Sequence, residues 1–300
     1  MSPPDVCVQS ILYGTPSDTA LRLAEGLAAT IQTALASGLV GAVSVRFGDC
    51  SAEPCLPAEV WAELVESLRA AGVADVTMRH FGVNLGHGGG HNTLLAGATD
   101  RAELLLILNP DSYPAPRLLT ELVRALSPDI ALTEARQAPF EHPKEYDPAT
   151  GAISWATGAC LLVRRAAYEQ VGGFDSDTFF LHADDVDLSW RLRLAGHRLR
   201  HAPLAVLHHA KRATAAGPVL AGETERFHAS EGALLLLHRY SRPDGLAHWL
   251  HHIDHGTDEV AQRAAASFRQ RQAEGRLPEP IDPAHEVSEV IGAGYGPYRF

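Results

Sequence analysis

The sequence predicts an α/β fold, a mostly parallel central sheet flanked by helices, followed by a C-terminal helical extension. Three observations carry this. Short apolar runs alternate with amphipathic stretches through the first eighty residues. A run of Leu-Leu-Leu-Ile-Leu at 104–108 has the continuous apolarity of a strand buried on both faces. Past Lys211 the strand-like runs stop and helical spacing takes over.

Taken in order, Val6 to Tyr13 is apolar enough for a first strand, and Gly14-Thr15-Pro16-Ser17-Asp18 is turn chemistry. Leu23, Leu27, Ile31 and Leu35 recur at helical spacing between Thr19 and Ser37, and Gly38 ends that run. Val40 to Phe47 predicts a second strand, closed by Gly48-Asp49-Cys50-Ser51. Glu59 to Ala71 predicts a helix with Trp61, Leu64, Val65 and Leu68 on one face, and Val76 to His80 a third strand. Such β-α-β-α-β alternation predicts parallel strands with helices on both faces.

Asn84-Leu85-Gly86-His87-Gly88-Gly89-Gly90-His91-Asn92 predicts a Gly-rich loop opening a helix from Thr93 to Thr99. Its backbone N–H groups would be open to a ligand. The spacing is not the Gly-x-Gly-x-x-Gly of dinucleotide sites. The strand at 103–108 ends abruptly in Asn109-Pro110-Asp111. Ligands of open α/β sheets sit at the carboxyl ends of strands, so Asp111 reads as a metal or phosphate-site acid, or as the cap of a helix over 114–126. Ile130 to Thr133 predicts a strand, 137–151 a polar surface loop, and Trp155 to Val163 a strand led by a tryptophan that either packs or carries a sugar. Val171 to Asp175 is a tight reversal, and 201–209 a strand ending in His208-His209.

Three carboxylates then fall in four positions, Asp184, Asp185 and Asp187, at the head of a helix through Leu194. One carboxylate caps a helix; the surplus points to work on a substrate hydroxyl or a cation. Asp187 and Arg191, one turn apart, read as a structural pair. Helices follow over 223–240 and 256–275, and Tyr295, Tyr298 and Phe300 are the aromatic anchors of the tail. These boundaries divide the chain into an α/β domain, residues 1–222, and a helical extension, residues 223–300.

Composition bounds the function. With 46% apolar and 20% charged residues the chain folds around a core. A formal charge of −11 disfavours a nucleic-acid partner but suits an anionic small ligand held with a cation. Cys7, Cys50, Cys55 and Cys160 form no Cys-x-x-Cys pair and read as reduced thiols. No apolar run approaches a bilayer span, and the N-terminus lacks a signal-peptide pattern, so a soluble, cytoplasmic protein is expected. His248, His251, His252 and His255 share a segment without an accompanying acid or cysteine pattern, which favours a solvated or packed cluster over a metal site.

Six stretches in order resemble the inverting glycosyltransferases of family 2, and within them the rhamnosyltransferase-like branch. They are Asn84–Asn92, Leu108-Asn109-Pro110-Asp111, Trp155-Ala156-Thr157-Gly158-Ala159, Gly172-Gly173-Phe174-Asp175, His182-Ala183-Asp184-Asp185-Val186-Asp187-Leu188 and Leu207-His208-His209. The resemblance covers about residues 5 to 212. It implies the GT-A fold, a Rossmann-like sheet, and transfer of a sugar from a dTDP- or UDP-linked donor, dTDP-rhamnose among them. A glycan, a lipid-linked sugar or a small molecule would accept it.

The resemblance also implies roles. Asp185 is the catalytic base, with Asp184 beside it where the family usually has Glu. Asp49, Asn84, Gly86, Gly90, Asn92, Asn109 and Asp111 lie against the nucleotide. Trp155, Thr157 and Gly158 lie near the acceptor and donor sugar. Mg²⁺ or Mn²⁺ is held by Asp111 with His208 or His209. Asn109 departs from the family's first metal-motif acid, and His87 and His91 depart from its usual apolar and small or polar residues. A homodimer through the helical tail is expected. The alternative readings are a nucleotidyltransferase, disfavoured because residues 14–18 hold no Lys or Arg, and a non-catalytic sugar-nucleotide binder, disfavoured because Asp111 and Asp185 are intact.

Overall fold

A computed structural model describes residues 2–98, 102–142, 144–210, 213–214, 217–218, 222–290 and 295. Lys211, Tyr298 and Phe300 lie outside the described residues.

The chain begins β1 (Val6–Leu12), α1 (Ser17–Ala36), β2 (Val43–Asp49), α2 (Ala58–Ala70), β3 (Asp75–His80), α3 (Gly86–Ala96), β4 (Leu104–Leu108). It continues β5 (Ser112–Pro114), α4 (Leu118–Ala125), β6 (Ile130–Ala138), β7 (Cys160–Arg164), α5 (Arg165–Gln170), α6 (Asp184–Leu194) and β8 (Arg198–His209). Helices α7 (Glu223–Arg239), α8 (Pro243–His255) and α9 (Glu259–Ala273) follow. These strands form one sheet in the order β3-β2-β1-β4-β7-β6-β8-β5. The first four pair in parallel; β7 is antiparallel to both neighbours, and β5 to β8.

Helices cover both faces, because the apolar residues of the buried strands point both ways. Val6, Val8 and Leu12 of β1 pack with α1, α2 and α4. Cys7, with Leu105 and Ile107 of β4, packs with α5 and α6. A third core joins Trp155, Phe179, Val186 and Trp190 to Leu234, Leu235, Tyr240 and Phe268 of the C-terminal helices. Among the described residues, no helix is long and apolar enough to cross a membrane.

The structure corrects several expectations. The glycine run is helix from Gly86 onward rather than a loop before Thr93. Its glycines are close-packing positions: a Cβ on Gly88 would sit 2.6 Å from Phe174 Cβ, and one on Gly90 2.8 Å from Ile11 Cδ1. Residues 155–159 precede β7 rather than belonging to it, and Ser112–Pro114 is a short strand where a helix was expected to begin.

Candidate active site

The end of β1 meets α3, where a Cβ on Gly90 would sit 2.8 Å from Ile11 Cδ1, and α3 meets the head of α6, where a Cβ on Gly88 would sit 3.4 Å from Asp184 Oδ2. Leu108 of β4 is in register with Cys160 of β7, and Asn109 N donates to Ala159 O at 3.0 Å. The Asn109–Asp111 turn and the Thr157–Ala159 run therefore leave adjacent strands side by side.

The structure separates the acids of α6. Asp184 is buried, and its Oδ2 lies 2.7 Å from His87 Nδ1. Asp185 is only half-buried; its Oδ2 accepts the Gly158 N–H at 2.8 Å. Burial and the neighbouring Asp184 push the Asp185 carboxyl above its ordinary range; the Gly158 N–H, His87 and Lys144 oppose the rise without cancelling it. A carboxylate of raised proton affinity at a partly open position is suited to accept a proton. Asp187 is fully buried, pairs with Arg191 at 2.7 Å and Arg239 at 2.9 Å, and accepts the Tyr240 hydroxyl. It fastens α6 to α7, so the structural pairing with Arg191 holds and extends to the C-terminal helices.

The turn before α6 is held in an unusual backbone form. His182 and Ala183 have φ of 64° and 61°, the left-handed region that costs a non-glycine residue energy. Gly232 of α7 backs this turn so closely that a Cβ would sit 3.1 Å from Ala183 Cβ.

Asp111 and His209 meet across β5 and β8. His209 Nε2 is 3.2 Å from Asp111 Oδ1, while Nδ1 is 3.0 Å from Gln137 Oε1. Each ring nitrogen of His209 thus faces an oxygen, one from an amide and one from a carboxylate. An imidazole nitrogen and a carboxylate oxygen so placed fit a divalent ion that takes its other ligands from substrate oxygens. His208 is exposed on the opposite face of the strand, so of the two histidines His209 is the one beside Asp111. Among the described residues, no group of three or more His, Cys, Asp or Glu is placed to hold a metal, and this includes the four histidines of α8.

Asp49, Asn92 and Asn84 each have hydrogen-bond partners within the chain. Asp49 is fully buried and accepts the Ser51 and Cys55 N–H groups; burial pushes its carboxyl up, and these hydrogen bonds prevail and hold it below its ordinary value. Through these bonds it shapes the loop after β2. Asn92 accepts from the Tyr168 hydroxyl and the Phe174 N–H and donates to Phe174 O, which fixes the reversal before α6. Asn84 is exposed and accepts the Gly86 N–H at the start of α3.

Two residues not singled out in the sequence support the site. Glu134 of β6 accepts the Thr157 N–H at 2.8 Å and pairs with Lys144 at 2.6 Å. Lys144 lies 3.8 Å over the ring of Trp155, whose buried face is thus covered by a cation. The available signals were an acid inside the apolar 130–135 run and one of only two lysines in the chain.

No family model matches the chain. It is 38% identical over 128 residues to an N-acetylglucosaminyl-diphospho-decaprenol L-rhamnosyltransferase of Mycobacterium tuberculosis, 38% of each chain's length. It is 36% identical over 101 residues to a pre-mycofactocin glycosyltransferase of the same organism, 33% of this chain and 20% of that one. It is 39% identical over 61 residues to the rhamnosyltransferase WbbL of Escherichia coli, 20% of this chain and 23% of that one. The matches thus span well under half of these relatives.

In structure, the chain superposes on the mannosyltransferase PcManGT of Pyrobaculum calidifontis, solved with GDP-Man and Mn²⁺. The TM-score is 0.56 and the identity 15%, over 91% of this chain and 82% of that one. GalNAc-T7, solved with UDP, GalNAc and Mn²⁺, gives a TM-score of 0.60 at 10% identity, over 95% of this chain and 57% of that one. The fold is thereby identified as GT-A, and the chain's sequence relatives are rhamnosyltransferases and other glycosyltransferases.

Proposed function

We propose that this protein transfers a sugar from a nucleoside-diphosphate donor to an acceptor hydroxyl with inversion, using Asp185 as the base. The observation that carries this is the division of labour at the head of α6: Asp184 is buried on His87, whereas Asp185 is partly open and has raised proton affinity. As the hydroxyl attacks the anomeric carbon from the face opposite the leaving group, Asp185 takes its proton, and the Gly158 N–H holds the carboxylate in place. A positioned base contributes about 10²–10⁴-fold in rate.

Asp111 and His209 would hold Mg²⁺ or Mn²⁺. Such an ion neutralises charge that develops on the departing nucleoside diphosphate. Both structural relatives named above were solved with Mn²⁺, which supports the same ion here. The rhamnosyltransferases among the sequence relatives favour a dTDP- or UDP-linked donor such as dTDP-rhamnose. The acceptor is a glycan, a lipid-linked sugar or a small molecule.

A thermal-shift screen of nucleotide sugars with Mn²⁺ tests the reading. A ligand that binds only the native state stabilises it by about 2.7 kcal/mol at a hundredfold excess over Kd. The expected result is a rise in Tm with a dTDP- or UDP-sugar and Mn²⁺ together. No rise with any donor contradicts the reading. Binding without turnover of any acceptor favours the non-catalytic alternative.

A further inference from the structure

His87 is the side chain of this neighbourhood that the transfer chemistry leaves unexplained. It stands on the first turn of α3, 97 positions before its partner Asp184. Its ring is enclosed: the His91 ring lies 4.8 Å away and the Phe174 ring 5.2 Å away, each meeting it edge-on. On the third side is Gly158, where a Cβ would come 2.9 Å from His87 Cε1. The backbone at Gly158 is the same one that donates to Asp185. One glycine therefore lets the imidazole approach and also holds the proposed base.

We propose that His87 is a positioning residue for sugar transfer: it clamps Asp184 in the interior and so leaves Asp185 as the carboxylate presented to the acceptor. Two adjacent carboxylates at a helix start each oppose ionisation of the other, and an unpartnered Asp184 would be free to turn outward beside Asp185. The clamp ends both problems, because Asp184 is turned inward and its charge is balanced. This rests on the transfer reading above.

The carboxylates facing His87 favour a cationic ring, while its Nε2 is buried with no hydrogen-bond partner among the described residues. Burial alone would lower the imidazole, but the Asp184 carboxylate, aided by Asp185, outweighs it and raises it above the ordinary value. His91, on the same helix, is held well below its ordinary value by burial and by His87, so it stays neutral; its Nδ1 meets Gln9 Oε1 at 3.1 Å. Lys144 acts on Asp185 in the same direction as His87. With the ring cationic, the charge nearest Asp185 on its own helix is neutralised, and Asp185 is anionic over more of the pH range in which a base must be anionic.

The test compares wild type with His87→Gln, which keeps a hydrogen-bond donor for Asp184 but no charge. The readouts are the pH profile of kcat/KM for transfer and an NMR titration of the His87 ring in the ligand-free wild-type and Asp184→Asn proteins. The expected result is that the acid limb of the His87→Gln profile moves up by about one pH unit, with activity recovering at higher pH. In the titration, the His87 ring should lose its proton above the ordinary histidine range in wild type and at lower pH in Asp184→Asn. A uniform loss of kcat/KM with the acid limb unmoved, an unchanged profile, or a wild-type His87 that titrates at or below the ordinary range overturns the proposal. If wild type transfers no sugar at all, the function reading fails, and the titration still decides whether the clamp exists.

Discussion

His209 Nε2, at the end of β8, lies 3.2 Å from Oδ1 of Asp111, the residue before β5, and Gln137 holds the other ring nitrogen of His209. This geometry predicts that Asp111→Asn and His209→Gln both lose the Mn²⁺-dependent part of donor binding. His208→Gln, on the solvent side of the strand, retains it. Thermal shift with donor, with and without chelator, checks this; equal metal dependence in all four proteins contradicts it.

Gly88 and Gly89 are neighbours on α3 with opposite surroundings. A Cβ at Gly88 meets Phe174 Cβ at 2.6 Å, whereas at Gly89 the nearest atoms are at 3.4 Å. Gly88→Ala is expected to destabilise by about 1–3 kcal/mol through overpacking. Gly89→Ala is expected to be neutral, or stabilising by up to about 1 kcal/mol, because alanine loses less freedom in a helix. Urea unfolding of the two variants checks the contrast.

Glu134 gives the fold an acid-sensitive element. Burial opposes its ionisation, but Lys144 and His201 hold its carboxyl down to about 2 from an ordinary 4.5. A carboxyl whose folded value lies below its unfolded value stabilises the protein above the unfolded value and ceases to do so as pH falls through the folded one. The contribution, on the order of 3 kcal/mol, is thus present at neutral pH and lost between about pH 4.5 and pH 2. In Glu134→Gln the fall in Tm across this window is expected to be shallower than in wild type. An equally steep fall in both proteins counts against the assignment.

The strands at β1, β2 and β4 and the start of α6 were legible because they rest on local signals, namely apolar periodicity, turn residues and acids at a helix start. The glycine run was not. Glycine composition signals a loop, whereas here it serves close packing of a helix on Ile11 and Phe174, which only tertiary structure reveals. β5 was hidden because three residues ending in Pro114 give no period. The choice of His209 over His208 depends on which face of β8 meets β5 and Gln137, a matter of register. The His87–Asp184 clamp and the Glu134–Thr157 contact join residues 97 and 23 positions apart, beyond the reach of any local pattern. Asp185 was assigned by resemblance; that Asp184 is the more buried of the two acids is visible only in the structure.

The central claim is that Asp185 is the base for sugar transfer. The most direct measurement is release of nucleoside diphosphate from the donor identified by thermal shift, with Mn²⁺ and acceptor, for wild type and Asp185→Asn. The variant is expected to fold, to bind donor with Mn²⁺ as wild type does, and to turn over about 10²–10⁴-fold more slowly. Near-wild-type turnover in Asp185→Asn would contradict that claim.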